Sequence, residues 1–251
     1  MRRSNQRILI SIPVYNEARH IDKVLTEVGR YADNILVIDD GSSDETPLLL
    51  ARHGVEVIRH AENRGYGRSM QDMFRWAHVD GFDWLITMDC DEQHEPKSIP
   101  EFMAAIERDQ SDVISGSRYL RTDMKKDEPP AERRKINLQL TQTLNELLNL
   151  QLTDAFCGSK AYRVNRLADM QFDIDGYDFP MQFWVQAVSA GLTIEELPIR
   201  LIYNDPSRTF GGPLDDATNR LAIYENTMRR ELERCRELHP DSHLPGNQFV
   251  S

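Results

Sequence analysis

The stretch "DWLITMDCDEQHEP", residues 83–96, is apolar from Trp84 to Met88 apart from Thr87, then sets Asp89, Asp91 and Glu92 almost side by side. The apolar part reads as a strand covered on both faces. Carboxylates crowded at the end of such a strand repel one another unless water, a cation or a cationic neighbour offsets them. Side chains two apart on extended chain point the same way, so Asp89, Asp91 and Gln93 share one side and Cys90 and Glu92 the other. Three oxygen donors in that row suit a hard divalent cation, Mg2+ or Mn2+. Such an ion would relieve the repulsion and present positive charge to a diphosphate. The run also reads as a solvated acidic loop, and His94 beside it as a metal neighbour or a bystander.

The same theme recurs on either side. "ILISIPV" at Ile8–Val14 is a β-branched apolar run, followed by Ile21, Val24, Leu25 and Val28 at helical spacing. "NILVIDDGSSDET" is a second strand with an acidic end, and Ser42 with Glu45 three residues on predicts a capping box opening a short helix. "VEVIRH" leads through "AENRGYG" to a helix marked by Met70, Met73, Phe74 and Ala77. After the opening stretch come a helix over Ile99–Arg108 and a fifth strand in "DVISGSRY". This alternation predicts an α/β fold with a mainly parallel open sheet, right-handed crossovers and helices on both faces.

After Tyr119 the rhythm breaks. "LRTDMKKDEPPAERRK" reads as a charged loop, and Ile136, Leu140, Leu144, Leu147 and Leu148 form an apolar stripe facing either the core or a lipid surface. The basic run at 133–135 suits anionic headgroups or a solvated helix start. "DAFCGSKAYR" returns to extended chain, "FPMQFWVQAVSAG" is helical to Gly191, and "TIEELPIRLIY" is another strand. Leu214, Ala217, Leu221, Tyr224, Met228, Leu232 and Cys235 space out a long amphipathic helix. The expected division is a catalytic domain over 1–212 and a C-terminal helix with a polar tail over 213–251.

At 251 residues and 40% hydrophobic content, the chain is sized for one core. Its net charge of −11 disfavours a broad nucleic-acid-binding face. Cys90, Cys157 and Cys235 are odd in number and widely spaced, which predicts neither a disulfide framework nor a zinc knot and fits a reducing, cytoplasmic setting. The arginines and apolar run at the start are interrupted by Pro13, unlike a secretion signal, and no stretch has the roughly 18 apolar residues of a spanning helix. Any membrane contact is expected to be peripheral or through a partner, at the inner face.

In an open parallel sheet, ligands sit outside the carboxyl ends of the strands. "PVYNE", "IDDGSSD", "MDCDEQH" and "GSRY" all fall at such ends, and strands roughly 4.8 Å apart let three of them surround one small ligand. There is no G-x-G-x-x-G after the first strand and no P-loop, so the usual phosphate cradles are missing.

Taken in order, "PVYNE", "DDGSSD", "NRGYG", "DCDEQH" and "GSRY" across residues 13–119 resemble the pattern of glycosyltransferase family 2 with the GT-A fold, most closely the polyprenol-phosphate (dolichol-phosphate) sugar transferases. The resemblance implies that Pro13, Tyr15 and Glu17 line the nucleotide and that Asp40 accepts a hydrogen bond from the base. It further implies that Asp89, Asp91 and Gln93 hold the metal and the diphosphate, with Asp91 and Arg118 catalytic and Arg118 near the transferred sugar or acceptor phosphate. "DAFCGSKAYR" loosely echoes a later family segment and offers Lys160 or Arg163 as a cation; "YNDPSRTFGG" echoes another and offers Arg208. The chain departs from the family at Glu95, often proline there, at Cys90, and in having no transmembrane helices after the catalytic part.

The resemblance implies an inverting, metal-dependent hexosyltransferase using a GDP- or UDP-hexose, with polyprenyl phosphate as acceptor and no nucleic acid. A phosphate acceptor is already anionic near neutrality, with a second pKa of about 6, and needs no general base. A saccharide hydroxyl would need one, for which Asp154 and Asp178 are the candidates; turn formation and helix capping are their structural readings. The alternatives are therefore a transferase acting on a hydroxyl compound, or a non-catalytic nucleotide-sugar binding protein with the same fold.

Overall fold

The computed structural model describes residues 6–90, 96–121, 131–200, 214 and 216–245. The predicted alternation is realised in chain order: β1 at Ile8–Val14, α1 at Ile21–Val28, β2 at Ile35–Asp39, α2 at Thr46–Leu50, β3 at Glu56–Arg59 and α3 at Tyr66–Val79. β4 at Trp84–Thr87, α4 at Ile99–Arg108 and β5 at Val113–Ser117 complete the first half. α5 at Ala131–Leu148, β6 at Lys160–Arg163, α6 at Phe179–Ser189, β7 at Ile194–Pro198 and α7 at Ala217–Leu238 follow. α5 begins directly after Pro129-Pro130, because proline suits the start of a helix better than its interior, so the run 133–135 belongs to the helix rather than to the loop.

The seven strands pair in the order β3-β2-β1-β4-β6-β5-β7. All run parallel except β6, which lies antiparallel to β4 on one side and to β5 on the other. The order steps outward from β1 through β2 to β3, then returns to place β4 on the other flank of β1. A crevice opens where the order reverses, outside the carboxyl ends of β1 and β4.

Strand alternation divides the core. Leu9, Leu36, Ile38, Leu85, Val113 and Tyr162 face the layer made by α3, α5, α6 and α7. Ile10, Ile12, Val37, Ile86, Ile114 and Ala161 face α1, α2 and α4. The long C-terminal helix belongs to the first layer: Tyr224, Met228, Leu232 and Cys235 are buried there against α5 and α6. The division expected at 212 falls outside the described residues.

The α5 stripe faces the core. Ile136, Leu140, Leu144 and Leu148 are buried, Leu147 packs at the margin, and Leu138 points outward. Truncating Leu140, which has no exposed surface, is expected to cost about 2–5 kcal/mol through lost contacts and the cavity left behind. Urea unfolding of Leu140→Ala should show the lower midpoint; an unchanged midpoint would mean that this face does not pack inward.

Candidate functional site

Two turns close one side of the crevice. After β1, Asn16 takes a left-handed φ of 57°, a conformation asparagine tolerates. Its side-chain oxygen accepts from the amides of Ser43 at 2.8 Å and Asp44 at 3.2 Å. In return, the amides of Asn16, Glu17 and Ala18 donate to the side chains of Ser42, Thr46 and Asp44 at 2.9, 2.9 and 3.1 Å. The expected capping box does not form, because the Ser42 hydroxyl is taken by the Asn16 amide and α2 starts from Glu45 without a side-chain cap. Asp44 instead accepts from the Thr46 amide at 2.9 Å. Partial burial pushes the Asp44 carboxyl up, but the hydrogen bonds from Thr46 and Ala18 outweigh it and hold the group below its usual range. This zipper leaves Tyr15 47% exposed at the crevice and buries Glu17.

The end of β2 carries two buried carboxylates. Asp39 accepts from the Ser42 amide at 2.9 Å, while its second oxygen lies 3.2 Å from Arg59 Nε without the alignment of a hydrogen bond. Asp40 accepts from the amides of Arg64 and Gly65, both at 2.8 Å, and from His60 Nδ1 at 2.6 Å. The other His60 nitrogen, Nε2, is 3.0 Å from Asp72, which Arg68 also grips through Nε and Nη2. Asp40, assigned to the base by resemblance, thus also anchors the loop that opens α3.

That loop explains "NRGYG". Gly65 has φ 102°, and a side chain there would lie 2.3 Å from the Asp175 carbonyl; one at Gly67 would lie 2.2 Å from that of Ile174. The close approach lets the Gly67 amide donate to Asp175 at 2.8 Å and lets Tyr66 stack on Tyr177, with ring centres 5.8 Å apart. Burial raises the Tyr66 hydroxyl well above its usual range, and the negative charge of Asp89 adds to the effect.

Asp89 leaves the end of β4 and lies over Gly158: a Cβ there would be 2.1 Å from its Oδ2. Thr87 fixes this contact by donating to the Gly158 carbonyl at 2.8 Å. A Cβ at position 158 would displace the Asp89 carboxylate, which is partly exposed and has the oxygen-donor chemistry that a hard cation takes. Asp91, Gln93 and His94 lie outside the described residues, and so does Arg208. Among the described residues, no group of three acidic, histidine or cysteine side chains is arranged as a metal site.

β6 separates the two cation candidates. Lys160 pairs with Thr87 at the crevice end of β4, whereas Arg163 pairs with Trp84 at the opposite end of the sheet. Arg163 serves a structural cluster there, bonded to Asp109 at 2.6 Å and Asp112 at 3.1 Å, so its expected phosphate role is corrected by position. Lys160 is buried, donates to the Cys157 carbonyl and sits 5.5 Å from the Trp184 ring centre. Burial, with Arg118 acting in the same direction, pushes the Lys160 ammonium down against Cys157, Asp154 and Asp89.

Arg118, just past β5, grips Asp154 through Nε at 2.7 Å and Nη2 at 2.9 Å. Burial pushes the Asp154 carboxyl up, but Arg118 overrides it and holds the group below its usual range. Asp154 is 1% exposed and also caps a turn at Phe156. The backbone carrying it is cradled by Glu196 of β7, which accepts from the Thr153 and Asp154 amides at 2.9 and 3.0 Å. Asp178 starts α6 and accepts from the Thr227 hydroxyl of α7 at 2.6 Å. Neither base candidate is therefore presented to a substrate hydroxyl in the manner expected of it.

Pro13, Tyr15, Glu17, Asp40, Asp89, Lys160 and Arg118 accordingly come from strand ends along one edge of the sheet. His60, Glu196 and Tyr177 escaped sequence reasoning. His60 alone carried a signal, as a polar residue ending an apolar strand.

A model of the family described as "Glycosyl transferase family 2" matches residues 9–170. An undecaprenyl-phosphate mannosyltransferase of Micrococcus luteus is 29% identical over 92% of this chain and 98% of its own. A polyprenol monophosphomannose synthase of Mycolicibacterium smegmatis is 28% identical over 93% of this chain and 92% of its own. Among solved structures, glucosyl-3-phosphoglycerate synthase from Mycobacterium tuberculosis, in complex with Mn2+, UDP and glucosyl-3-phosphoglycerate, superposes with a TM-score of 0.71. It covers 91% of this chain and 81% of its own at 15% identity, which shows a shared fold.

Replacing Asp154 by Asn leaves the Arg118 charge buried without its counter-ion, at an expected cost of about 3 kcal/mol. Because the folded carboxyl titrates below its unfolded value, this stabilisation is complete at neutral pH and fades as pH falls below about 4. Denaturation at pH 7 and pH 3 should show the gap to wild type narrowing in acid. A gap independent of pH would contradict the ion pair.

Proposed function

Since the chain belongs to glycosyl transferase family 2, we propose that it is an inverting glycosyltransferase moving a hexose from a nucleotide sugar to a polyprenyl phosphate. One observation carries the reading: the Tyr15–Glu17 turn, Asp40 and Asp89 lie along the same edge of the sheet as Arg118 and Lys160, with the carboxylates on one flank and the cations on the other.

In this reading the base and ribose lie against Pro13, Tyr15 and Glu17, with the remaining acceptor capacity of the Asp40 carboxylate directed at the base. The diphosphate lies toward Asp89. Asp89, with Asp91 and Gln93, would hold a Mg2+ or Mn2+ ion, which when bound supplies Lewis-acid charge to the leaving diphosphate. Arg118, immobilised by Asp154, and Lys160 supply positive potential on the acceptor side. An acceptor phosphate oxygen attacks the anomeric carbon in line; its C–O bond forms as the bond to the nucleotide diphosphate breaks, and the anomeric centre inverts.

The acceptor class is inferred from the same geometry. A hydroxyl acceptor must lose a proton, yet Asp154 is committed to Arg118 and Asp178 to Thr227. A phosphate monoester needs no base, being anionic near neutrality with a second pKa of about 6. The similar mannosyltransferase and mannose synthase, named for undecaprenyl phosphate and polyprenol, support the same acceptor. The donor is a GDP- or UDP-hexose. A lipid acceptor sets the reaction at a membrane surface, in this reading the cytoplasmic face; among the described residues no helix is long and apolar enough to cross a membrane.

The test is transfer itself. Purified protein, Mn2+, undecaprenyl phosphate and labelled GDP-mannose, UDP-glucose or UDP-N-acetylglucosamine should move label into the organic phase with at least one donor. Asp89→Asn should slow that transfer by about a hundredfold or more with little change in melting. Label that moves only to an added saccharide would overturn the lipid-phosphate acceptor.

A further inference from the structure

The cluster behind Asp40 contains more charge than the proposed chemistry uses. His60 is 6% exposed in its side chain and lies between two carboxylates that are themselves largely buried. A ring nitrogen 2.6 Å from a carboxylate oxygen makes a hydrogen bond only if one of the two carries a proton. Asp40 accepts from two backbone amides, one at each of its oxygens. Asp72 accepts from Arg68, from Nε at 3.0 Å and Nη2 at 3.2 Å; Arg75 Nη1 lies farther off, at 3.6 Å. A neutral imidazole has one N–H and could satisfy only one of these neighbours. With both nitrogens protonated, Asp40 and Asp72 are balanced by His60 and Arg68, which is the condition for keeping four charges out of water.

We propose that His60 is a doubly protonated bridge that positions the donor-binding wall, tying the Asp40 turn to the first turns of α3. The bridge joins three separate pieces of chain. Its backbone amide donates to the Asp39 carbonyl at 2.9 Å, one ring nitrogen holds Asp40, and the other holds α3 through Asp72. Asp40 in turn holds the amides of residues 64 and 65, immediately before Tyr66 and its stacking partner Tyr177. Losing the bridge removes one of the three hydrogen bonds on the Asp40 carboxylate and cuts its tie to α3, which loosens the loop that it anchors. The consequence falls on donor binding rather than on the transfer step, since among the described residues the His60 ring meets the crevice through Asp40. This inference rests on the reading of the crevice as a nucleotide-sugar site.

The bridge is tested in two ways. Nitrogen-resolved NMR of the His60 ring at pH 7 should show both nitrogens protonated. Calorimetry with UDP and GDP in the presence of Mn2+ should show His60→Gln binding the nucleotide preferred by wild type roughly tenfold more weakly, the loss expected for a charge-assisted hydrogen bond. In the transfer assay, the donor KM should rise while kcat stays within about twofold. Asp72→Asn in the His60→Gln background removes the stranded carboxylate and should recover most of the affinity, a rescue that loss of folded protein would not produce. A singly protonated ring, or unchanged nucleotide affinity in His60→Gln, would overturn the proposal. A doubly protonated ring in a wild-type protein that binds neither nucleotide would uphold the bridge and sink the donor-site reading instead.

Discussion

The site depends on keeping carboxylates buried at and beside the ends of strands, where each must find its counter-charge or donors inside the fold. The effective cost of taking one such ion out of water is several kcal/mol, so whatever balances it is held tightly in place. Asp39 has Arg59 and the Ser42 amide, Asp40 has His60 and two amides, and Asp154 has the Arg118 fork. Each pairing pins a loop to a strand end, and together they turn flexible connections into walls. Asp89 lies over a glycine and stays partly exposed at the crevice.

The walls are braced from behind by the C-terminal helix. Glu231 of α7, fully buried, accepts from Gln182 at 2.9 Å and Gln186 at 2.6 Å on α6. Those glutamines hold the amides of Gln171, Asp173 and Ile174, and the same segment abuts Gly65 and Gly67 at the start of α3. A continuous run of hydrogen bonds and close contacts thus links α7 to the loop anchored on Asp40. The helix supports the crevice through this chain of contacts, at a distance from the acidic strand ends themselves.

Much of this was legible because the GT-A sheet announces itself locally. Apolar runs such as Ile8–Val14 and Ile35–Asp39, each stopped by a polar turn, read as covered strands whose ends share an edge. The crossover order and the reversed direction of β6 were not legible, since pairing is decided by distant partners rather than by the run itself. That is why Lys160 and Arg163 stood as equals in the sequence: only the antiparallel register sends one to Thr87 and the other to Trp84. The capping box failed for a related reason. Its serine matched the local pattern, but Asn16, 26 residues away, claimed the hydroxyl first. Arg118 stands at the sheet edge, as its place after the fifth strand implies, while its pairing with Asp154, a base candidate only for a hydroxyl acceptor and otherwise a turn former, was not legible because nothing local reveals an ion pair formed across 36 positions.

At the centre of the proposed function, these strand ends would form a receptor for a diphosphate and its divalent cation, with Asp89 among the residues that would hold the cation. Calorimetric titration of UDP and GDP into the wild-type protein and into Asp89→Asn, each with and without Mn2+, tests this most directly. Mn2+ is expected to tighten nucleotide binding at least about tenfold in the wild type, one decade of affinity, and to do nothing in the variant. Equal affinity with and without Mn2+ in the wild type would contradict it.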